Sequence, residues 1–406
     1  MGTGEMGSDM KDLFAGRLKG AKRSFLDHIL KVAERPDMIS FAGGLPGPEC
    51  FPVAALAKVA ARALRQQGSQ ALQYQSTEGY LPLREYIAAR YQERWGIEAR
   101  PEEILLTTGS QQALDLLGKA FLERGDKVVL ERPAYVGAIE AFGMYEPEMA
   151  QVEITDEGLD VRQLEAAVSS GRVKMVYTVP NFQNPSGRTY SAGNRVAVAE
   201  AAKSCGAVLV EDDPYHDIRF EGEDLEPLAK SAGEDCVMLG TFSKTVAPGL
   251  RVGWVLARGE TFEKLVIAKQ AADLHSDSFT QRMLHEYLTR SDVEGHIDMI
   301  RRTYRARRDA MMQAIREHCG EEVRHTRPEG GMFLWMTLPE GVSAMGLFES
   351  AIKENVAFVP GRAFYVGEGG ENAMRLNFSN SDEQRIREGI KRLGKVLKEA
   401  VAAGRA

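Results

Sequence analysis

Short runs of apolar, often β-branched residues alternate along this chain with longer segments of helical periodicity, and this alternation strongly constrains the fold. The predicted strands span residues 104–107, 127–130, 174–179, 207–211, 237–240 and 252–255. Helical stretches separate most of them. Because parallel neighbours are joined by crossovers that usually contain a helix, the pattern predicts an α/β fold with a mainly parallel sheet between two layers of helices.

The pattern changes after a long helical stretch at 295–318, and a smaller α+β domain is predicted beyond it. Its expected elements are a strand at 331–338, a helix at 343–354, strands at 357–359 and 373–378, and a helix at 382–403. We divide the chain into an N-terminal segment (1–50), a large domain (51–294), and a connecting helix with a small C-terminal domain (295–406). Five arginines of the connecting helix are interpreted as a solvated face: Arg301, Arg302, Arg305, Arg307 and Arg308.

Charge and cysteine content exclude several classes of protein. The 406 residues carry a net charge of −7, so the chain has no sequence-independent reason to bind nucleic acid or an anionic membrane. Four dispersed cysteines without a CxxC pair argue against a disulfide framework or a zinc cluster. No apolar run approaches the roughly 20 residues of a membrane span, and no signal peptide is recognisable. We therefore predict a cytoplasmic protein with reduced thiols.

The segment 241–251, TFSKTVAPGLR, places hydroxyls, one lysine and one arginine directly after a predicted strand. Burial between apolar strands lowers the pKa of a lysine, and the neutral amine is the form that attacks a carbonyl to make a Schiff base. Thr241, Ser243 and Arg251 together offer two hydroxyl donors and a guanidinium to a phosphate. By itself, this segment is equally consistent with a loop lysine among structural neighbours.

Carboxylates end the strand predicted at 207–211 and continue into Asp212 and Asp213. The C-terminal ends of parallel strands face the crevice where α/β sheets bind ligands. A carboxylate there can pair with a protonated pyridine nitrogen, while Tyr215 can donate to a phenolic oxygen on the same ring. The alternatives are a carboxylate pair that caps the next turn, or a metal site, for which His216 is the only nearby imidazole.

Two further polar turns follow predicted strands. The turn 179–187, VPNFQNPSG, can direct the amide of Asn184 into the crevice. The segment 107–113, TTGSQQA, puts Gly109 before a helix that Ser110 is predicted to cap, and a helix start offers free N–H groups to a phosphate. The segment 107–113 has neither the GxxxxGK[ST] nor the GxGxxG pattern, so it indicates neither ATP nor NAD. Each turn alone could also be purely structural.

Taken in order, these four segments resemble those of the class I and II aminotransferases of fold type I. The resemblance extends from about Ser40 to Leu397. It includes the sequence FAGGLP at 41–46, LQY at 72–74 and MRL at 374–376. The most similar branch contains 2-aminoadipate, kynurenine and aromatic aminotransferases. The resemblance implies that 51–294 is the domain that binds pyridoxal 5′-phosphate.

The resemblance assigns a role to each of these residues. Lys244 corresponds to the Schiff-base lysine that also carries the proton, and Asp212 to the partner of the pyridine nitrogen. The other implied cofactor contacts are Tyr215 and Asn184 to the phenolic oxygen, Tyr135 stacked on the ring, and Ser110, Gln111, Thr241, Ser243 and Arg251 around the phosphate. Arg375, helped by Gly44 and Asn184, corresponds to the group that binds the substrate α-carboxylate. Thr241 stands where relatives commonly have serine, and the hydroxyl is retained.

The implied activity is a ping-pong transamination between an amino acid and a 2-oxo acid, with 2-oxoglutarate expected as the acceptor. The resemblance also implies a homodimer in which Tyr74 reaches the partner subunit's phosphate site. One alternative is a lyase, decarboxylase or oxidase that uses the same cofactor. Another is an aminotransferase-like regulatory domain, although only about forty residues precede the resemblance and they show no basic stripe.

The preferred donor is not determined by the sequence. In this branch the N-terminal segment lines the side-chain pocket, and here residues 22–28 read KRSFLDH. Arg23 can meet a distal carboxylate and Phe25 an aromatic ring, while Asp27 opposes an acidic side chain. All three are equally compatible with an ordinary helix surface, and His275 is expected to pack rather than to bind substrate.

Overall fold

The structure, a computed structural model, describes residues 13–19, 29, 35 and 37–404 of the chain. Its main feature is a sheet of eight strands. These are β2 (Ile104–Thr107), β3 (Lys127–Arg132), β4 (Glu148–Thr155), β5 (Gly158–Leu159), β6 (Val173–Thr178), β7 (Val208–Asp212), β8 (Cys236–Thr241) and β9 (Gly253–Leu256), while β1 (Ile39–Ser40) lies outside this sheet. The order across the sheet is β2-β9-β8-β7-β6-β3-β4-β5.

The central strands β4, β3, β6, β7 and β8 run parallel, as predicted. Strand β9 is antiparallel to both β2 and β8, and β5 is antiparallel to β4. Neither β4 nor β5 was predicted from the sequence. Strand β4 lies near the sheet edge and mixes buried with exposed residues, so it lacks the continuous apolar run that marks a fully buried parallel strand.

Helices cover both faces of the sheet, which agrees with the predicted α/β class. Those of eight or more residues in the large domain are α1 (Val53–Ala71), α2 (Leu81–Trp95), α3 (Ser110–Phe121), α4 (Val136–Gly143), α5 (Val161–Ser169), α6 (Ala192–Ser204), α7 (Gly259–Asp273) and α8 (Ser278–Arg290). Successive side chains of a strand point to opposite faces, so Leu209 and Val210 belong to different hydrophobic cores. Among the described residues, no helix has the length and apolar character needed to cross a membrane.

The helix α9 (Val293–His318) begins two residues before its predicted start and leads into the segment predicted to be the small domain. That domain contains β10 (Arg324–His325), β11 (Phe333–Thr337), α10 (Ala344–Lys353), β12 (Val356–Ala357), β13 (Val359–Pro360), β14 (Ala373–Asn377) and α11 (Glu383–Gly404). The single strand expected at 357–359 is two short strands that join different sheets. Strand β12 pairs with β1, and β13 pairs with β14.

The solvated-face interpretation of the α9 arginines is wrong for Arg307 and Arg308, which are both buried. Arg308 forms an ion pair with Glu221 at 2.7 Å and donates to the Pro328 carbonyl at 2.5 Å. Arg307 pairs with Glu49 at 2.5 Å. A guanidinium is buried only where partners compensate for its lost hydration, and helical periodicity alone does not reveal such partners.

Candidate active site

The predicted site residues converge where the carboxyl ends of β6, β7 and β8 meet the small-domain strand β14. Asp212 is the last residue of β7, and Lys244 follows the end of β8 by three residues. Asn184 lies in the turn after β6, and Arg375 is the middle residue of β14. Parallel strands bring their carboxyl ends to one edge of the sheet, so residues distant in sequence line a single pocket there.

Lys244 is half-buried, and its Nζ donates to the Gly44 carbonyl at 3.2 Å. Burial lowers the pKa of this amine to about 8, and the cations Arg375 and Arg251 lower it further, while Asp212 opposes the shift. At pH 7 roughly a tenth of such an amine is neutral, far more than for an ordinary lysine. The environment therefore favours the nucleophilic form of Lys244.

Asp212 is buried, and its two oxygens have different surroundings. Oδ2 accepts from the Tyr177 hydroxyl at 2.6 Å, whereas Oδ1 has no hydrogen-bond partner within the described part of the chain. Burial raises the pKa of Asp212 to about 7, and the charge of Asp213 adds to this, while Tyr177 and Lys244 act in the opposite direction. A buried acceptor without a donor is costly, and a protonated ring nitrogen would supply that donor.

Asp213 has different partners. One of its oxygens accepts from the Asn181 amide at 2.9 Å, and the other lies 3.6 Å from Nδ1 of His216. Both oxygens of Asp213 therefore already have side-chain partners. This arrangement supports Asp212, rather than Asp213, as the partner of a pyridine nitrogen.

Arg375 is buried, and its hydrogen-bond partners are neutral groups. It donates to Oδ1 of Asn184 at 2.8 Å and to the Ala42 carbonyl at 2.6 Å, and its guanidinium lies 4.3 Å from the ring centre of Phe333. No carboxylate in the described residues forms an ion pair with it, and burial lowers its pKa to about 10. Asn184 is also within 3.5 Å of the Tyr215 hydroxyl, to which its amide donates. A buried guanidinium of this kind is suited to a bidentate pair with an incoming carboxylate.

The predicted phosphate residues lie around the start of α3. The Arg251 guanidinium packs against Gly109 so closely that a Cβ on Gly109 would be 2.5 Å from Nη2. Thr241 Oγ1 donates to Ser243 Oγ at 2.9 Å. The first N–H groups of a helix have no intrahelical acceptor and lie at its positive end, so Ser110 and its neighbours provide an anion seat. Gly109, not Ser110 as predicted, is the N-cap residue.

Gln111 and Tyr135 lie side by side at the edge of this seat. The Gln111 side chain donates to the Gly137 carbonyl at 2.9 Å, and its backbone N–H, in the first turn of α3, has no intrahelical acceptor. Tyr135 immediately precedes α4, and burial raises its pKa to about 12. Both positions are compatible with the predicted roles beside the phosphate and the ring.

Tyr74 is the predicted site residue that the structure does not bring into this pocket. Its side chain is 78% exposed, and its ring meets His275 edge-on with centroids 5.7 Å apart. His275 therefore packs, in line with the expectation for it. The segment 22–28, with Arg23, Phe25 and Asp27, lies outside the described residues.

Comparison with known proteins assigns the family. The family model described as aminotransferase class I and II matches residues 37–393. The chain belongs to this family. A 2-aminoadipate transaminase from Thermus thermophilus is 46% identical over 393 residues, which cover 96% of both proteins. Aromatic-amino-acid aminotransferase 1 from Thermococcus litoralis is 43% identical, over 96% of this chain and 95% of that relative.

A solved structure agrees with this assignment. The α-aminoadipate aminotransferase from Thermus thermophilus, complexed with N-(5′-phosphopyridoxyl)-L-leucine, superposes with a TM-score of 0.91 at 43% identity. The match covers 97% of this chain and 99% of that one. The chain is thus a fold-type I aminotransferase dependent on pyridoxal 5′-phosphate, as its motifs indicated. The unpartnered Oδ1 of Asp212 and the anion seat at α3 fit that cofactor.

Two buried residues that contact the candidate site were not predicted from the sequence. Tyr177 supports Asp212 from within β6, where nothing distinguishes it from a core tyrosine. Glu131 accepts from the Val179 N–H at 2.8 Å and from the Gln183 amide at 2.7 Å, and so ties the Asn184 turn to β3. Glu131 could have been predicted as a candidate, because it lies near the carboxyl end of a parallel strand, as Asp212 does.

Proposed function

We propose that this aminotransferase moves the α-amino group of 2-aminoadipate, an aromatic amino acid or a similar donor to 2-oxoglutarate by a ping-pong mechanism. The observation that carries the proposal is the grouping of Lys244, Asp212, Asn184 and Arg375 around one pocket. Among the described residues, it combines a nucleophilic amine, a carboxylate with one oxygen that has no hydrogen-bond partner, and a guanidinium that has no anionic partner. Homodimerisation and a cytoplasmic location are further parts of the proposal.

Pyridoxal 5′-phosphate, when bound, supplies an electron sink for the charge left on the substrate α-carbon. Oδ1 of Asp212 would hold the proton on the ring nitrogen and so maintain that sink. Arg375 binds the substrate α-carboxylate and, with Asn184, orients the α-hydrogen toward Lys244. The neutral Nζ of Lys244 takes the proton from the substrate α-carbon. It then donates the proton again, so that transfer of the amino group is completed.

The phosphate would be held by the start of α3 together with hydroxyl and guanidinium groups. The residues that supply these donors are Ser110, Gln111, Thr241, Ser243 and Arg251, with Gln111 contributing its backbone N–H. They bind the cofactor without taking part in proton transfer, so their loss should weaken cofactor binding more than it slows the chemistry. Tyr135, Tyr215 and Asn184 would fix the orientation of the ring.

The relatives support two kinds of donor. One is named for 2-aminoadipate and the other for aromatic amino acids, and their identities to this chain, 46% and 43%, are nearly equal. A pocket that accepts either a distal carboxylate or an aromatic ring would account for both. The acceptor 2-oxoglutarate has a distal carboxylate like that of 2-aminoadipate, so a single side-chain site can serve both half-reactions.

The test is a screen of the twenty standard amino acids, 2-aminoadipate and kynurenine against 2-oxoglutarate. A donor should convert the visible absorption of the bound cofactor to that of its amino form, and 2-oxoglutarate alone should restore it. Double-reciprocal plots should give parallel lines. Release of carbon dioxide or ammonia, without a need for any 2-oxo acid, would instead identify a decarboxylase, lyase or oxidase.

A further inference from the structure

Lys269, on α7, is a fully buried lysine that the proposed chemistry does not use. Its Nζ donates to Oε1 of Gln112 at 2.8 Å, to Oδ1 of Asp273 at 2.9 Å and to Oγ of Ser276 at 3.0 Å. An ammonium has three protons, so all of its donor capacity is satisfied. Such complete pairing offsets the cost of burial and holds its partners in one geometry.

Each of these three partners also binds Thr108. Oε1 of Gln112 accepts from the Thr108 N–H at 2.8 Å. The Thr108 hydroxyl lies 3.0 Å from Oγ of Ser276 and 3.3 Å from Oδ2 of Asp273. The backbone and side chain of Thr108 are therefore both fixed by the network that Lys269 organises.

Thr108 in turn positions the phosphate seat. It precedes Gly109, the N-cap of α3, and its carbonyl accepts from Nη2 of Arg251 at 3.3 Å. Rotation of the peptide between these residues would change both the direction of the first N–H groups of α3 and the placement of the Arg251 guanidinium. Lys269 reaches these groups only through its three partners.

We propose that Lys269 is a positioning residue for the cofactor phosphate, which preorganises the Thr108–Gly109 turn without touching the phosphate. This inference rests on the proposed phosphate seat. A turn that is already ordered does not have to lose conformational entropy when the anion binds, so preorganisation appears directly as affinity. An apolar side chain at 269 would leave the Asp273 carboxylate and the Gln112 carbonyl without their buried donor.

The network also extends to the segment that contains Tyr74. The Ser276 carbonyl accepts from the Gln75 amide at 3.2 Å and from the Gln281 amide at 3.0 Å. Gln75 is adjacent to Tyr74, and Ser276 is adjacent to His275, on which the Tyr74 ring packs. Lys269 therefore links the phosphate seat to the segment proposed to serve the partner subunit.

The experiment compares wild type with Lys269→Met, using the full-length chain freed of cofactor and then titrated with pyridoxal 5′-phosphate or with pyridoxal. Pyridoxal lacks the phosphate, so the ratio of the two affinities isolates the phosphate seat. We expect Lys269→Met to weaken pyridoxal 5′-phosphate binding about tenfold or more while pyridoxal binding changes less than twofold. Amide hydrogen exchange at 108–111 in the cofactor-free variant should be faster.

Arg308→Met is the matched control. Arg308 is an equally buried cation with a carboxylate partner, Glu221, and that partner is not one of the residues of the phosphate seat. It should lower the melting temperature and leave the ratio of affinities unchanged. If Lys269→Met does not fold, the same titrations are made with the nearly isosteric Thr108→Val. This variant removes the hydroxyl that joins the turn to Ser276 and Asp273. Its expected loss of pyridoxal 5′-phosphate affinity is severalfold.

The inference is overturned if Lys269→Met, or Thr108→Val in its place, lowers the melting temperature but leaves the ratio of affinities within twofold of wild type. Lys269 would then be a structural residue only. A wild-type chain that binds pyridoxal and pyridoxal 5′-phosphate with equal affinity would instead overturn the proposed phosphate seat. The two failures are thus distinguishable.

Discussion

The Tyr177 hydroxyl donates to Oδ2 of Asp212, and this bond favours the ionised carboxylate. We expect Tyr177→Phe to raise the pKa of Asp212 and so to move the acid limb of the kcat/KM profile to higher pH. A shift of about one unit would reduce activity about tenfold at pH values below the limb. Tyr190→Phe is the control, because Tyr190 is another buried tyrosine that donates to a carboxylate, Glu131. An acid limb that moves equally in both variants would contradict a specific role for Tyr177.

Asp212 and Asp213 are adjacent, yet only Asp212 has a buried oxygen without a partner in the described residues. We expect Asp212→Asn to retain cofactor but to lower kcat by about a hundredfold or more, since a neutral amide does not stabilise a protonated ring. Asp213→Asn should be mild, because both oxygens of Asp213 are already engaged by Asn181 and His216. Steady-state kinetics of the two purified variants make the comparison, and the reverse ranking would exchange their roles.

Arg375 lies within β14 without a carboxylate partner in the described residues. Arg375→Leu should raise KM for amino acids and 2-oxo acids by about a hundredfold, the size of a lost bidentate charge pair, while cofactor affinity stays unchanged. Initial rates and a cofactor titration test this directly. An unchanged KM combined with a lower melting temperature would point to a structural role in the small domain.

At the scale of elements, the turn between β2 and α3 depends on a glycine. Gly109 has φ of +73°, and a Cβ there would be 2.5 Å from Nη2 of Arg251. Gly109→Ala should therefore displace the guanidinium, weaken cofactor binding at least tenfold and cost about 1–3 kcal/mol of stability. Gly249→Ala is the control on the neighbouring segment, because a Cβ at Gly249 meets nothing within 4 Å. Titration and thermal melting of both variants should separate them clearly.

At the scale of the whole molecule, the exposed Tyr74 side chain suggests that the site is completed by a second copy of the chain. Leu72 and Leu274 are also largely exposed, so the surface around Tyr74 is apolar. It is also close to the hydrogen-bond network of Lys269. Tyr74→Phe and Arg251→Ala chains should each bind cofactor poorly. Refolded together, they should form hybrid dimers with one intact and one doubly damaged site. Hybrids that recover no cofactor binding would show that Tyr74 does not act on the partner's site.

Local patterns in the sequence were enough to predict the α/β class, the central parallel strands, the long connecting helix and the order of the cofactor motifs. These features depend on residue spacing within a segment, and hydrophobic periodicity and turn residues report that spacing directly. Strand β4, next to the sheet edge, and the division of 357–359 between two sheets were not predicted, because pairing with other strands defines them.

Tertiary structure alone decided which polar residues act together. Asp212 and Asp213 are equivalent in the sequence, and only the folded chain leaves Oδ1 of Asp212 buried without a partner in the described residues while Asn181 engages Asp213. Arg307, Arg308 and Lys269 look like ordinary helix-surface cations, yet each is buried with partners from other segments. Ion pairs and hydrogen bonds form between residues far apart in sequence, so the burial of a charge depends on the assembled fold rather than on local periodicity.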